Sequence, residues 1–299
     1  DDYNQHYDRA DAARQLCNQQ IKKAKECWQE MPEETRANIL SNLSAFDICK
    51  DQKPCTGNIC MHYSFDFAQQ VVCPYSNQQR GKEYFKTARK CQIFGICAEA
   101  LSRQVFFLID ESESSGKGSR TVISLLDAYF RLHGIGEEEA SLHADNCTGQ
   151  NKNNYVIWYL MWRVMNGLHK RITLSFMIPG HTKFAPDRYF GLFKIKYRRS
   201  TIDCLHDLVM CVNNCSSEQT VAQVYGRHLG LKRNAFEYSK WDEYLSSYFK
   251  SPDGILKYNC FSFDHEEPGV VRFSVNPDDK PDSVNIFTDF NYHCSILRQ

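Results

Sequence analysis

The chain reads as an α/β protein, a mixed five-stranded sheet flanked by helices, with a helical N-terminal region and a mixed C-terminal extension. Three observations predict this. Apolar residues near the start recur at helical spacing, and from about residue 61 the pattern changes to short strand-like runs between turns. Along 61–200 the order is then three strands, helix, strand, helix, strand, which calls for helical crossovers within a mixed sheet.

Tyr3, Ala10, Ala13, Leu16, Ile21, Ala24 and Trp28 fall at roughly helical spacing among Lys, Arg, Gln and Asp, predicting one amphipathic helix or a pair over 3–30. Pro32 marks the first turn of a second helix over 33–45, and the turn-rich run at 53–58 closes the N-terminal region, 1–60. Strands follow at 62–70 (HYSFDFAQQ), 91–98 (CQIFGICA) and 104–110 (QVFFLID). A helix spans 119–133 and stops at Gly134, a fourth strand runs 140–145, a long helix 153–166 and a fifth strand 171–178, completing a core over 61–200. A helix starts near Pro186 and Asp187 and runs through Tyr189, Phe190, Phe193 and Ile195; in the extension, 201–299, another covers 201–213, and 256–274 holds two short strands around Glu-Glu-Pro-Gly.

A chain of 299 residues, 42% hydrophobic, 13% aromatic and 24% charged, can build a substantial core without staples. Lys plus Arg equals Asp plus Glu at 36 each, so any nucleic-acid-binding surface must be local. The 14 cysteines are scattered, many after apolar residues, which fits free thiols in a reducing compartment rather than a disulfide scaffold. No stretch is long and apolar enough to span a membrane. The chain opens Asp-Asp-Tyr with neither a signal-peptide pattern nor a methionine, so an N-terminal region with targeting signals is expected to precede it.

Aspartate is depleted in strands and costly to bury unpaired, yet Asp66 stands between Phe65 and Phe67, and Asp145 ends an apolar strand before a run of amides. Asp187 follows Pro186 at a helix start. Each has a plain reading: an edge-strand residue, a turn cap and a helix cap. Together they offer the hard oxygens that magnesium selects. Asn146, Gln150, Asn151 and Asn153, with Lys152 among them, either cap the next helix or orient Asp145 and meet phosphate. Lys194, Lys196, Arg198 and Arg199, after Lys183 and Arg188, form the densest basic run, a solvated face or a seat for a nucleic-acid backbone.

The segments SFDFAQQVVCP, CQIFGICAE, LIDES, LHADNCTGQNKNN and PGHTKFAPDRYFGLFK resemble the successive motifs of a eukaryotic transposon-derived family with an RNase H-like, DDE-type core. The resemblance covers about 60–200. It implies that Asp66, Asp145 and Asp187 are the three acidic positions, brought together to hold two Mg²⁺ or Mn²⁺ ions, with His181 at the edge of the site. It further implies DNA strand cleavage or strand transfer, DNA as partner with RNA also open, a nuclear or nucleocytoplasmic location, and room for a homo-oligomer.

Two other motifs fail. Ser-Ser-Gly-Lys-Gly-Ser at 114–119 lacks the first glycine of a phosphate loop, Glu111 standing in its place. Cys49, Cys55, Cys60 and His62 match no standard zinc spacing, so structural zinc there is disfavoured. Cys204, Cys211 and Cys215 share a helical face that suits a core. Two other classes of function stay open: a domesticated, catalytically silent protein that binds nucleic acid or a partner, and a structural module stapled by disulfides.

Overall fold

A computed structural model of the chain describes residues 2–44, 54–55, 57–78, 81, 86–181, 183–225 and 239–288. Helix α1 (Asp2–Glu30) buries Ala10, Cys17, Ala24 and Trp28, a stripe at helical spacing. Helix α2 (Glu33–Ser44) opens on Glu33 and Glu34, whose charges suit the positive end of the helix. Strand β1 (Gly57–Phe67) is buried without a break from Ile59 to Phe65, as a strand covered on both faces should be. It is followed by β2 (Val71–Cys73), β3 (Arg89–Ala98) and β4 (Arg103–Asp110), the last buried along its whole length.

Helix α3 (Ser119–His133) stops where the Gly134 N–H bonds back to the Phe130 carbonyl at 3.2 Å. Strand β5 (Glu137–Ala144) leads to α4 (Asn154–Met165), whose cap Asn153 accepts from the Val156 N–H at 3.2 Å, and then to β6 (Arg171–Phe176). Helix α5 (Ala185–Arg198) precedes α6 (Leu205–Asn213). The sequence placed this last helix from 201. It starts later because Asp207 accepts the N–H groups of Asp203 and Cys204, both at 3.0 Å, and fixes the helix start there. Beyond it come β7 (Gln219–Tyr225), α7 (Trp241–Ser246), β8 (Cys260–Asp264), β9 (Val270–Ser274) and β10 (Asp282–Asn285).

The chain divides into two compact units, each discontinuous: 1–63 with 117–182 and 238–299, and 64–116 with 183–237. In the first unit β5 and β6 run parallel, joined by α4, and β6, β8, β9 and β10 continue antiparallel. The portion of β1 up to Tyr63 lies beside β5. Helix α4 is buried nearly all round. Its Tyr159 and Trp162 rings meet Trp241 of α7 at 5.1 and 5.2 Å. Arg163, only 2% exposed, donates to Tyr159 Oη at 3.0 Å and to His169 Nδ1 at 3.3 Å, and its guanidinium lies 4.2 Å from the centre of the Phe130 ring. Helix α1 meets the β5–β6 pair through Gln20 on Thr173 and Lys23 on Glu139.

In the second unit β3 pairs antiparallel with β2 and β4, and β4 pairs parallel with β7. The portion of β1 from Ser64 lies beside β3. Helices α5 and α6 cover this sheet with a cluster that includes Phe106, Leu108, Tyr189, Phe190, Phe193, Leu208 and Val212. Gly95 permits the approach: a methyl group there would lie 2.6 Å from Phe190 Cε1, closer than carbon atoms tolerate.

Each unit is thus a mixed sheet with helices against it, and the α/β class expected from the sequence is present. The expectation of a five-stranded sheet falls short: β8 and β9, the two short strands expected within 256–274, join the sheet strands, and β2, β7 and β10 were not foreseen. The cysteines in the described residues carry thiols, and no helix there is long and apolar enough to cross a membrane.

Candidate functional site

Asp145 belongs to the first unit. It leaves the carboxyl end of β5 into a loop that the Cys147 carbonyl folds tightly, accepting the N–H groups of Gln150, Asn151 and Lys152 at 3.2, 2.8 and 3.1 Å. The turn carries Asn151 back onto Asp145, so that Oδ1 accepts from Asn151 Nδ2 at 2.5 Å and from the Cys147 N–H at 3.2 Å. Oδ2 has no hydrogen bond among the described residues. Asn151 is 1% exposed, so its amide is fixed by packing as well as by the bond.

Lys152, 2% exposed, donates to Asn259 Oδ1 at 3.0 Å, and its Nζ lies 5.5 Å from the centre of the Phe176 ring. Burial pushes its ammonium down to about 8. Asn146 donates to the same Asn259 oxygen at 3.4 Å, and Asn259 in turn donates to the Val275 carbonyl at 3.0 Å. Four of the expected residues, Asp145, Asn146, Asn151 and Lys152, therefore form two linked clusters, and Gln150 is half-buried beside them. Of the amides, Asn151 bonds to Asp145 and Asn153 caps α4. His181 lies in a turn closed by its N–H on the Ile178 carbonyl, and its ring packs 5.3 Å from that of His6 and 5.1 Å from that of Tyr7, both on α1.

Asp66 and Asp187 belong to the second unit. Asp66 is half-buried near the end of β1, and its Oδ1 accepts from the Phe67 N–H at 2.7 Å. Asp187 is exposed in the first turn of α5. Its Oδ2 accepts from the Phe184 N–H at 3.2 Å, the bond of a helix cap, and Oδ1 has no hydrogen bond among the described residues. Arg188 pairs with Glu218 at 2.7 Å and Lys194 donates to Gln69 at 3.2 Å. Lys183, Lys196, Arg198 and Arg199 are exposed, so the basic run is a solvated face of α5 and the segments flanking it, open to a polyanion.

Cys49 lies outside the described residues, the Cys55 thiol donates to the Gly167 carbonyl at 3.3 Å, and burial pushes the Cys60 thiol up to about 11. His62 turns instead toward Cys17 and His143, two residues that the sequence reading did not single out. Asn259 was missed as well, since nothing marks an isolated asparagine before a short strand. Of the three thiols placed on one helical face, Cys211 is buried in the core of the second unit, Cys215 is half-buried and Cys204 is exposed.

No curated protein and no solved structure matches the chain. A family model described as "Domain of unknown function (DUF7869)" matches residues 83–278, a stretch that holds Asp145, Asp187, His143 and Asn259 but neither Asp66 nor Cys17. That match spans more than half of the chain, and the chain therefore belongs to the DUF7869 family.

Proposed function

We propose that this is a transposase-derived protein with an RNase H-like core that cleaves or joins DNA strands with the help of divalent metal, Asp66, Asp145 and Asp187 supplying the carboxylates. The observation that carries the reading is Asp145. It stands at the carboxyl end of the β5–α4–β6 parallel pair, where open α/β sheets form their ligand sites. One of its oxygens is held by Asn151 and Cys147, and no hydrogen bond engages the other among the described residues. The motif resemblance over 60–200 supplies the other two acids. Further support comes from the α/β class of the fold, a mixed sheet with helices against it.

The donor set suits the metal: carboxylate oxygens are hard ligands, of the kind that Mg²⁺ and Mn²⁺ prefer. Bound there, such ions would supply Lewis acidity toward the attacking and leaving oxygens of a phosphodiester. The protein's own part is positional. Asn151 and the Cys147 N–H keep the Asp145 carboxylate from rotating, and the exposed bases along α5 offer the phosphate backbone a seat without reading sequence. Action on DNA accords with a nuclear or nucleocytoplasmic site of work. One observation favours a silent DNA-binding protein instead, namely that Asp187 already serves as a helix cap.

The two readings part in one experiment. Asp66→Ala should abolish cleavage of a DNA duplex in Mg²⁺ or Mn²⁺ while leaving binding nearly intact. Replacing Lys194, Lys196, Arg198 and Arg199 with Ala should weaken binding and reduce its salt slope by about 0.9 per lost phosphate contact. Wild-type protein that binds DNA in a salt-dependent manner and cuts it with neither metal would overturn the enzymatic reading.

A further inference from the structure

Inside the first unit three side chains with metal-binding atoms meet, from elements far apart in sequence. Cys17 comes from the buried stripe of α1, His62 from β1 and His143 from β5, and the three are 5%, 0% and 1% exposed. His62 Nε2 lies 2.9 Å from His143 Nδ1 and 3.9 Å from Cys17 Sγ, and one donor atom from each of the three fits within 4.8 Å of the others. His143 Nε2 has no hydrogen-bond partner among the described residues. A thiol and two imidazoles are thus collected away from the surface, where polar atoms need partners.

The geometry points to a buried zinc site in which Cys17 Sγ, His62 Nε2 and His143 Nδ1 bind one Zn²⁺ and tie α1 to β1 and β5. A tetrahedral ion with Zn–N of about 2.0–2.1 Å and Zn–S of about 2.3 Å requires its ligands to be about 3.3 Å apart for N···N and about 3.6 Å for N···S. The observed 2.9 and 3.9 Å differ from these by a few tenths of an ångström, and Cys17 and His143, whose donor atoms lie within 4.8 Å of each other, complete the triangle after small side-chain rotations. Sulfur and imidazole nitrogen suit Zn²⁺ and not Mg²⁺, so this centre is chemically distinct from the carboxylate site. On binding, Cys17 releases its thiol proton and bonds as thiolate, while each ring keeps a single proton, on the nitrogen away from the metal. Zn²⁺ with one thiolate leaves a net charge of +1. The fourth position falls to water. Full burial argues for a structural ion that fastens the N-terminal helix, not one that meets a substrate.

The test uses the whole chain, purified without chelator. Elemental analysis should find about one zinc per chain, lost in Cys17→Ser and in His143→Ala taken separately. Should either variant fail to fold, wild-type protein still decides the matter. Cobalt substituted for zinc should give a thiolate-to-cobalt charge-transfer band, and zinc should shield Cys17 from alkylation as mapped by mass spectrometry. Zinc retained in full by Cys17→Ser, cobalt without a thiolate band, or Cys17 alkylated equally with and without zinc would each overturn the assignment, as would copper in place of zinc.

Discussion

The two units place their candidate polar residues differently. In the first, Glu137, His62, His143, Asn151, Lys152, Arg163 and His169 are all at most 2% exposed, and most of them bond to one another or to a neighbour inside the fold. In the second, an aromatic and aliphatic cluster fills the space under α5 and α6, and the candidate bases stand out in solvent. The contrast separates two kinds of candidate residue. Changes at those of the first unit alter stability and chemistry together. Changes at the exposed bases Lys196 and Arg198 of α5 touch only what binds there.

The largest expected effect is on Arg163. Replacing it with Ala strips a bond from Tyr159 and one from His169, and removes a buried cation 3.6 Å from Asp127, so a loss of about 3–5 kcal/mol is expected in urea unfolding. A loss below 1 kcal/mol would mean that the polar interior of the first unit is not what holds it. Next comes the pH dependence of Lys152. Its folded value of about 8 lies below that of a free lysine, so between there and about 10.5 the unfolded chain binds more protons, and stability rises with pH. Below pH 8 both states are charged and the full penalty of burying the ammonium is present, at most about 3 kcal/mol at about 1.36 per pKa unit. The stability gap between Lys152→Met and wild type, measured at pH 7.5 and pH 10, should therefore shift in favour of the wild type as pH rises. An unchanged gap would contradict it.

Effects in the second unit should be smaller. Gly95→Ala presses a methyl group into Phe190 and should cost about 1–3 kcal/mol by overpacking, read from the urea midpoint at constant slope. Smallest of all, Ala at Lys196, Arg198 and Arg199 should shift stability by less than about 0.5 kcal/mol, since all three are exposed. A large destabilisation there would break the contrast between the units.

What the sequence disclosed follows the same division. Strands β3 and β4 and helices α3 and α4 were legible because their apolar residues recur with the right period over eight residues or more. Asp145 was legible because a carboxylate at the end of an apolar strand is locally anomalous. The short β2 and β10 carry too few residues for a period, and β7 (QTVAQVY) is a half-exposed strand with polar members. Cys17, His62 and His143 were not legible as a group. Cys17 reads as one more apolar residue of an amphipathic helix, and its contact with His62 spans 45 positions that only the folded chain brings together.

The claim on which the account turns is that Asp145 is a divalent-metal ligand held in place by Asn151. Calorimetric titration of Mn²⁺ into the wild type, Asn151→Ala and Asp145→Asn tests it directly. The account predicts saturable binding by the wild type, affinity lowered about 10–100-fold in Asn151→Ala, and no binding at this site in Asp145→Asn. Equal affinity in all three proteins would contradict it.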